Sequence, residues 1–311
     1  MQLRQITQFL EKQFPLSLQE DYDNAGLIYG YLEQEIKGAL VCLDSTEAIV
    51  DEAIETGCNL IIAHHPIVFR GLKKLTGKTY IERVVEKCIR HQIALYAIHT
   101  NLDNHHKGVN HKIAEKLGLV NTRILRPMSE QLIKLVVYVP QEQFAQVDLA
   151  ILGAGAGHIG NYSECHFRSE GIGTFKPEDG AKPALGELHR REEVQETKLE
   201  YVVATHLLND VLGAMKLAHP YEEVAYEIYE LQNAHQNIGL GMIGELETPV
   251  DEKDFLLNVK DKMLSDGIRH SAFTGKKIKK VAVLGGAGSF AIKNAIQAGV
   301  DAFLTADLKY H

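Results

Sequence analysis

Two adjacent histidines, His64 and His65, follow a short apolar segment at 60–63 and precede Pro66. Neighbouring residues in a strand point to opposite faces, so both histidines can serve one site only if the strand ends before them. Pro66 indicates such an end, because proline cannot donate to a central β-ladder. Neutral imidazole nitrogens are preferred ligands of zinc and similar divalent ions. The pair therefore predicts a metal site at a strand end.

Further polar residues also follow apolar segments. The segment at 94–98 leads into His99 and, four residues later, Asp103, and the segment at 39–43 ends at Asp44. In open α/β sheets, ligands bind at the carboxyl ends of the strands. Asp103 has two carboxylate oxygens and is therefore able to bridge two ions. We expect these side chains to gather at one edge of a sheet.

The elements that must position them alternate along the first 125 residues. The expected strands are 38–43, 58–63 and 93–98, and the expected helices are 3–13, 45–56, 79–91 and 110–117. Repeated strand–helix alternation implies right-handed crossovers between parallel strands. The sequence therefore predicts an α/β fold with a mostly parallel sheet flanked by helices.

The pattern changes after residue 128. Between 133 and 231 the expected order is strand, helix, strand, strand, helix, strand, which is the order of a ferredoxin-like α+β domain. Strand–helix character resumes at 281–284. We therefore predict three segments: residues 1–127 as the first part of a metal-binding α/β domain, 128–235 as an inserted ferredoxin-like domain, and 236–311 as the second part of the α/β domain.

Composition narrows the class of protein. The 311 residues carry 33 Lys and Arg against 41 Asp and Glu, a net charge of −8, which argues against a general nucleic-acid surface. No apolar run is long enough to span a membrane, and the N-terminus lacks a signal-peptide pattern. The four cysteines include no CxxC pair, so we expect reduced thiols in a cytoplasmic protein.

Two glycine-rich stretches resemble nucleotide-binding motifs. Residues 155–160 match GxGxxG but follow a predicted helix, whereas a dinucleotide site requires a preceding strand, so we interpret them as a turn. Residues 286–291 follow a predicted strand and precede a helix. Their backbone N–H groups would suit either a phosphate cradle or tight helix packing.

Several segments together resemble one protein family. They are YDNAGL at 22–27, AHHP at 63–66, HTNLD at 99–103, GGAGS at 285–289 and TADLKYH at 305–311. In this order they resemble the GTP cyclohydrolase 1 type 2 homolog family, also called NGG-interacting-factor-3-like. Segments 153–162, 171–177 and 219–226 resemble the extra CutA/PII-like domain of its longer bacterial members. Tyr22 stands where the family usually has tryptophan.

The resemblance implies a site for two divalent ions (zinc, manganese or iron) whose ligands include His64, His65 and Asp103. It also implies a toroidal homohexamer. The family supplies a further His and Glu downstream of the segment matching 307–311, where this sequence ends. We therefore expect absent or partial metal in the 311-residue form.

Two functional hypotheses follow from the residues and the resemblance. The preferred one is a metal-dependent hydrolase acting on a nucleotide or a small phosphorylated substrate, in which His99, Asp44 and Asp307 support the ligands or transfer protons. The alternative is a non-enzymatic, ring-forming metal-binding or regulatory protein.

Overall fold

The computed structural model describes residues 1–308 and divides into two compact units. Of the described residues, one unit comprises 1–126 with 237–308, and the other comprises 127–236. The helices are α1 (Leu3–Gln13), α2 (Glu47–Thr56), α3 (Tyr80–His91), α4 (Thr100–Asp103), α5 (Val109–Leu117), α6 (Phe144–Gly153), α7 (Leu208–Ala218), α8 (Glu252–Met263) and α9 (Ile292–Gln297). The strands are β1 (Gly26–Tyr29), β2 (Ala39–Cys42), β3 (Leu60–Ala63), β4 (Ala94–Ala97), β5 (Val120–Met128), β6 (Leu132–Pro140), β7 (His166–Phe175), β8 (Glu192–Ala204), β9 (Tyr226–Glu230), β10 (His235–Val250), β11 (Ile278–Ala287) and β12 (Ala302–Asp307).

The first unit contains the sheet that ends at the histidines. Its strand order is β1-β4-β3-β2, with β2, β3 and β4 parallel and β1 antiparallel to β4. Helices α2 and α3 cover one face through a core that includes Val50, Val84 and Ile61. Thr46 is the N-cap residue of α2, and its hydroxyl oxygen accepts a hydrogen bond from the Ile49 N–H at 3.3 Å. This packing fixes where β3 and β4 end.

A second sheet in the same unit has the order β12-β11-β10-β5. Strands β11 and β12 are parallel, whereas β10 and β11 are antiparallel. Helices α5 and α8 contribute Ala114, Leu117, Phe255 and Val259 to its core.

The unit of residues 127–236 has its own antiparallel sheet in the order β7-β8-β6-β9. Helices α6 and α7 contribute Val147, Ile151, Val211 and Met215 to one core with the inward side chains of β6 and β8. Alternate residues of β8 are buried, the pattern of a strand with one covered face. The GxGxxG stretch at 155–160 lies outside the helices and strands, after α6, as the turn interpretation required.

The expected parallel pairing is observed for β2, β3 and β4, but a mostly parallel sheet is wrong for the molecule as a whole, because its sheets are mixed or antiparallel. Strand–helix–strand alternation suggests a parallel crossover, but β1 joins the edge of its sheet antiparallel to β4. Strands β10 and β11 are also antiparallel although α8 lies between them in sequence. In the second unit, strand β7 continues to Phe175 and strand β8 already begins at Glu192.

Within residues 1–308, no helix has the length and apolar character needed to cross a membrane. All four cysteines are free thiols.

Candidate metal centre

Three histidine rings meet where β3 and β4 end. These strands pair in parallel with Ala63 opposite Ala97, so the residues that follow them lie side by side. One ring nitrogen from each of His64, His65 and His99 lies within 4.8 Å of the other two. In the described part of the chain, this is the one group of three or more His, Cys, Asp or Glu side chains with such spacing.

Each ring has an oxygen atom against its Nδ1. The partners are the Ile98 carbonyl oxygen, 2.9 Å from His64; Asp44 Oδ1, 2.8 Å from His65; and Asp23 Oδ1, 2.7 Å from His99. A carbonyl or carboxylate oxygen only accepts, so each Nδ1 carries the proton and donates it. The Nε2 lone pairs are then free, which is the arrangement found in metal-binding histidines.

Asp23 orients His99 from a fully buried position, with 0% of its side chain exposed. Its second oxygen accepts hydrogen bonds from the Thr100 N–H at 3.0 Å and from the Thr100 hydroxyl. Burial acts to raise the pKa of Asp23, but the hydrogen bonds from His99 and Thr100 outweigh it and hold the pKa below its ordinary value. The carboxylate is therefore ionised and fixes the His99 tautomer.

Asp103, at the end of α4, brings a carboxylate to the same place. Its Oδ2 lies 3.9 Å from His64 Nε2, and only 18% of its side chain is exposed. Burial raises the pKa of Asp103 to about 6, although His99 acts in the opposite direction. Burial also lowers the pKa of His64, helped by the neighbouring His99. The neutral ring of His64, which is the form that binds metal, is thereby favoured.

Two buried asparagines hold the segment that carries His99 and Asp103. The Asn101 side chain donates to the Phe14 carbonyl at 2.8 Å and accepts from the His99 N–H at 3.0 Å. Asn110 donates to the Asp103 carbonyl at 3.1 Å and accepts from the Gly285 N–H at 2.8 Å. The roles of these asparagines and of Asp23 are not evident from the sequence. Asn101 lies in HTNLD and Asp23 in YDNAGL, but the Phe14 carbonyl that Asn101 contacts and the His99 ring that Asp23 contacts are distant from them in sequence.

The other candidate residues are placed differently. Asp44 contacts His65 directly, with 58% of its side chain exposed. Asp307 lies at the end of β12, where its carbonyl accepts from the Gly288 N–H at 3.2 Å, and its carboxylate is not part of the three-histidine group. Residues 309–311 of the TADLKYH segment lie outside the described residues.

The glycine-rich loop after β11 packs tightly against β12. A Cβ on Gly288 would lie 2.4 Å from Thr305 Oγ1, and the Thr305 hydroxyl donates to the Gly286 carbonyl at 2.8 Å. The Gly288 N–H is already used by Asp307. Of the two interpretations of residues 286–291, tight packing is therefore favoured over a phosphate cradle.

The family model described as Duf34/NIF3 (NGG1p interacting factor 3) matches residues 1–311. The chain belongs to this family. A Bacillus subtilis (strain 168) relative, a "GTP cyclohydrolase 1 type 2 homolog", is 46% identical over 309 residues, which are 99% of this chain and 83% of the relative. A relative of the same description from Halalkalibacterium halodurans is 43% identical, covering 98% of this chain and 82% of its own length.

Solved structures agree with this membership. The crystal structure of a Bacillus cereus protein related to NIF3 matches with a TM-score of 0.88 and 42% identity, over 100% of this chain and 84% of that chain. A Staphylococcus aureus protein matches with a TM-score of 0.76 and 30% identity, over 100% and 82%. The DUF34/NIF3 chain described here thus shares an α/β fold with mixed sheets with these relatives.

Proposed function

We propose that the chain is a metal-dependent hydrolase whose metal is held by His64, His65 and His99, with Asp103 beside them. The observation that carries the proposal is the approach of three ring nitrogens to within 4.8 Å of one another. Two nitrogens bound to one tetrahedral zinc ion at about 2.0 Å lie roughly 3.3 Å apart. Small rotations of the rings would bring the three ring nitrogens to this shorter spacing.

The donor set suits a divalent ion of the zinc, manganese or iron type. Each imidazole donates its Nδ1 proton to an oxygen, which orients the ring and makes Nε2 a better ligand. A nearby cation would also stabilise the ionised form of Asp103, whose burial otherwise disfavours it. We propose one ion per chain for these residues, since three histidine ligands suffice for a single catalytic ion and leave its fourth position to water, with Asp103 beside it.

A bound divalent ion supplies Lewis acidity and lowers the pKa of a coordinated water. The residues of the chain would orient the metal ligands and exchange protons. Asp23 holds His99 in one tautomer, and Asp44 does the same for His65. Asp44 is the more exposed carboxylate, so it is the one that solvent or substrate reaches to exchange a proton.

We propose a phosphorylated or nucleotide-like substrate because one surface cavity is positively charged. A surface cavity of about 650 Å³ is lined by Leu102, directly before Asp103, and by Lys107, Lys112 and Lys116. Its lysines outnumber its one carboxylate, that of Glu115, although the chain as a whole is acidic. Positive charge at this cavity, whose lining residue Leu102 directly precedes Asp103 in the chain, would attract an anionic group.

We also propose a homohexamer, and a ferredoxin-like fold for the inserted unit. The hexamer is supported by the family resemblance. Exposed apolar side chains on the edge strand β2, Val41 at 75% and Leu43 nearby at 60%, are consistent with contacts between copies. The ferredoxin-like fold is supported by the element order strand, helix, strand, strand, helix, strand and by the antiparallel order β7-β8-β6-β9.

A substrate panel tests the proposed activity. The zinc-, manganese- and iron-loaded protein is assayed against GTP, other nucleotides and small phosphoesters, beside His65→Ala and a control, His91→Ala, which removes an exposed histidine of α3. We expect turnover by the wild type and by His91→Ala, and its loss in His65→Ala. Metal binding with no turnover across the panel would instead favour the non-enzymatic alternative.

A further inference from the structure

A second cavity lies within the unit of residues 127–236, apart from the histidines. It has a volume of about 270 Å³ and is formed by the end of β7, the loop that follows it and the segment around Tyr221. Its walls include the apolar side chains of Pro177, Pro183 and Leu185. We call it the Glu196 cavity, after the carboxylate that β8 places in its wall. Its size is just below the range of about 300–1,000 Å³ for sites of drug-sized ligands, so it would suit a small metabolite.

Glu196 is placed against the backbone of β7 by the absence of a side chain at Gly173. A Cβ at Gly173 would lie 2.1 Å from Glu196 Oε2 and 2.9 Å from Oε1. Gly173 pairs with Val194, two residues before Glu196 on the same face of β8. Burial raises the pKa of Glu196 above its ordinary value. A carboxylate partly removed from water in this way is stabilised by a cation.

An aromatic pair forms another part of the wall. The rings of Phe175 and Tyr221 lie 5.8 Å apart, inclined at 61°, and His219 packs on Tyr221 at 5.2 Å. The Tyr221 N–H donates to His219 Nδ1 at 3.1 Å, and His219 Nε2–H donates to the Tyr138 carbonyl at 2.9 Å. These bonds fix Tyr221 in position before any ligand arrives.

The Tyr221 hydroxyl has a further feature. It donates a hydrogen bond to the Glu196 carboxylate, which acts against the burial that raises the pKa of Glu196. Burial, with the Glu196 charge and this hydrogen bond, raises the pKa of Tyr221 to about 12, so the group remains a neutral hydroxyl. The carboxylate is thus held beside the aromatic rings by a neutral donor, and its charge is left without a cationic partner among the residues that line the cavity close to it.

The charges around the Glu196 cavity favour a positive ligand. Its wall carries three carboxylates, Glu196, Glu222 and Glu223, and one ammonium group, Lys176. The Lys176 ammonium already lies 3.1 Å from a Glu178 carboxylate oxygen. An anion entering the cavity would therefore be repelled, whereas a cation would meet both carboxylates and aromatic faces.

We propose that the Glu196 cavity binds a small organic cation, an ammonium or guanidinium group carried on a short apolar body. The positive group pairs with Glu196 and lies near the Phe175 and Tyr221 rings, while the apolar body packs against Pro183 and Leu185. The site is independent of the proposed metal-dependent activity, because its residues all belong to the unit of residues 127–236.

Calorimetric titration of the full chain with phenethylammonium tests the proposal. Neutral 2-phenylethanol and anionic 3-phenylpropanoate serve as probes of the same shape but different charge. We expect binding of the cation alone, unchanged after treatment with a chelator. Glu196→Gln should weaken it at least about tenfold, because a hydrogen-bonded charge is lost from a part-buried site. Glu193→Gln makes the same charge change on the opposite face of β8 and should leave binding unaltered.

A second variant separates loss of the site from loss of the fold. Gly173→Ala keeps every charge but displaces the Glu196 carboxylate. It should therefore weaken binding of the cation by a similar factor, while the thermal unfolding curve stays cooperative. Equal binding of the neutral probe, no binding of the cation, or full affinity in Glu196→Gln would each overturn the proposal.

Discussion

At the scale of single residues, the sequence indicates the histidines at the strand ends more clearly than the groups that hold them. The His64–His65 pair and His99 stand out because each directly follows an apolar segment, although the family resemblance implies Asp103, and not His99, as the ligand beside the pair. Asp23 does not, because its contact with His99 joins residues 76 positions apart. The antiparallel pairing of β1 with β4 brings that part of the chain to the histidines.

The two supporting carboxylates should differ in importance. Asp23→Asn should lower zinc affinity by about 10–100-fold, because its amide places an N–H donor where a buried carboxylate oxygen accepts from His99 or Thr100. Asp44→Asn should cost less than about tenfold, because the Asp44 side chain is largely exposed and solvent replaces it. Zinc affinities are measured by competition with a chromophoric chelator. Asp21→Asn, an exposed neighbour, is the control, and equal losses in the two variants would contradict this ranking.

At the scale of elements, short strands followed by helices are predictable and long irregular strands are not. The sequence places α1 at 3–13 and the end of β3 at residue 63, as observed, because apolar periodicity marks the helix and Pro66 follows the strand. The sequence pattern predicts no strand over the residues that form β10, because Gly239, Gly241 and Gly244 lower the strand propensity there. Gly244 is needed there because a Cβ would lie 2.8 Å from the Leu119 Cβ.

The junction between α4 and α5 depends on Gly108. A Cβ there would lie 1.7 Å from the Leu102 carbonyl oxygen, which belongs to the backbone that positions Asp103. Gly108→Ala should therefore destabilise the protein by about 1–3 kcal/mol and lower metal affinity as well. Gly213→Ala, in α7 with open space around it, should instead stabilise by about 0.5–1 kcal/mol. Urea unfolding measures the free energy of unfolding of both variants. An unchanged free energy for Gly108→Ala would contradict the prediction and show that the backbone at the junction shifts to make room for the Cβ.

The start of α3 should give the protein a pH-dependent stability. Glu82 accepts hydrogen bonds from the Thr76 N–H and hydroxyl at 2.7 and 2.8 Å, and these and its other hydrogen bonds lower its pKa to about 2. Since its ordinary value is 4.5, the stabilisation is complete above pH 4.5 and is lost as the pH falls toward 2. Glu82→Gln should therefore unfold at a lower urea concentration than the wild type at pH 7. The difference between the two unfolding midpoints, which we call the gap, should narrow at pH 4. Glu86→Gln is the control, and a gap that widens on acidification would contradict the sign.

At the scale of the whole molecule, the family and the α/β class follow from the sequence, but the sheet directions do not. Family motifs spread over the chain identify its relatives even where each motif alone is weak. Strand direction depends on pairings between distant segments, such as β10 with β11, that local patterns leave open.

Assembly is predicted at this scale. We expect light scattering to give six times the mass of the chain at micromolar concentration. Val41→Glu, which puts a charge on the exposed face of β2, should lower that mass if this face lies between copies. Glu52→Lys, an exposed charge change on α2, is the comparison. A monomer in the wild type at all concentrations tested would contradict the hexamer.

The metal content of the 311-residue chain tests the central claim most directly. The protein is dialysed against a zinc buffer whose free concentration is set by a chelator, and zinc per chain is measured by elemental analysis. We predict about one equivalent for the wild type and for His91→Ala, and loss of that equivalent in His65→Ala and His99→Ala. No retained zinc in the wild type, two equivalents, or full retention in the His65 and His99 variants would contradict the account.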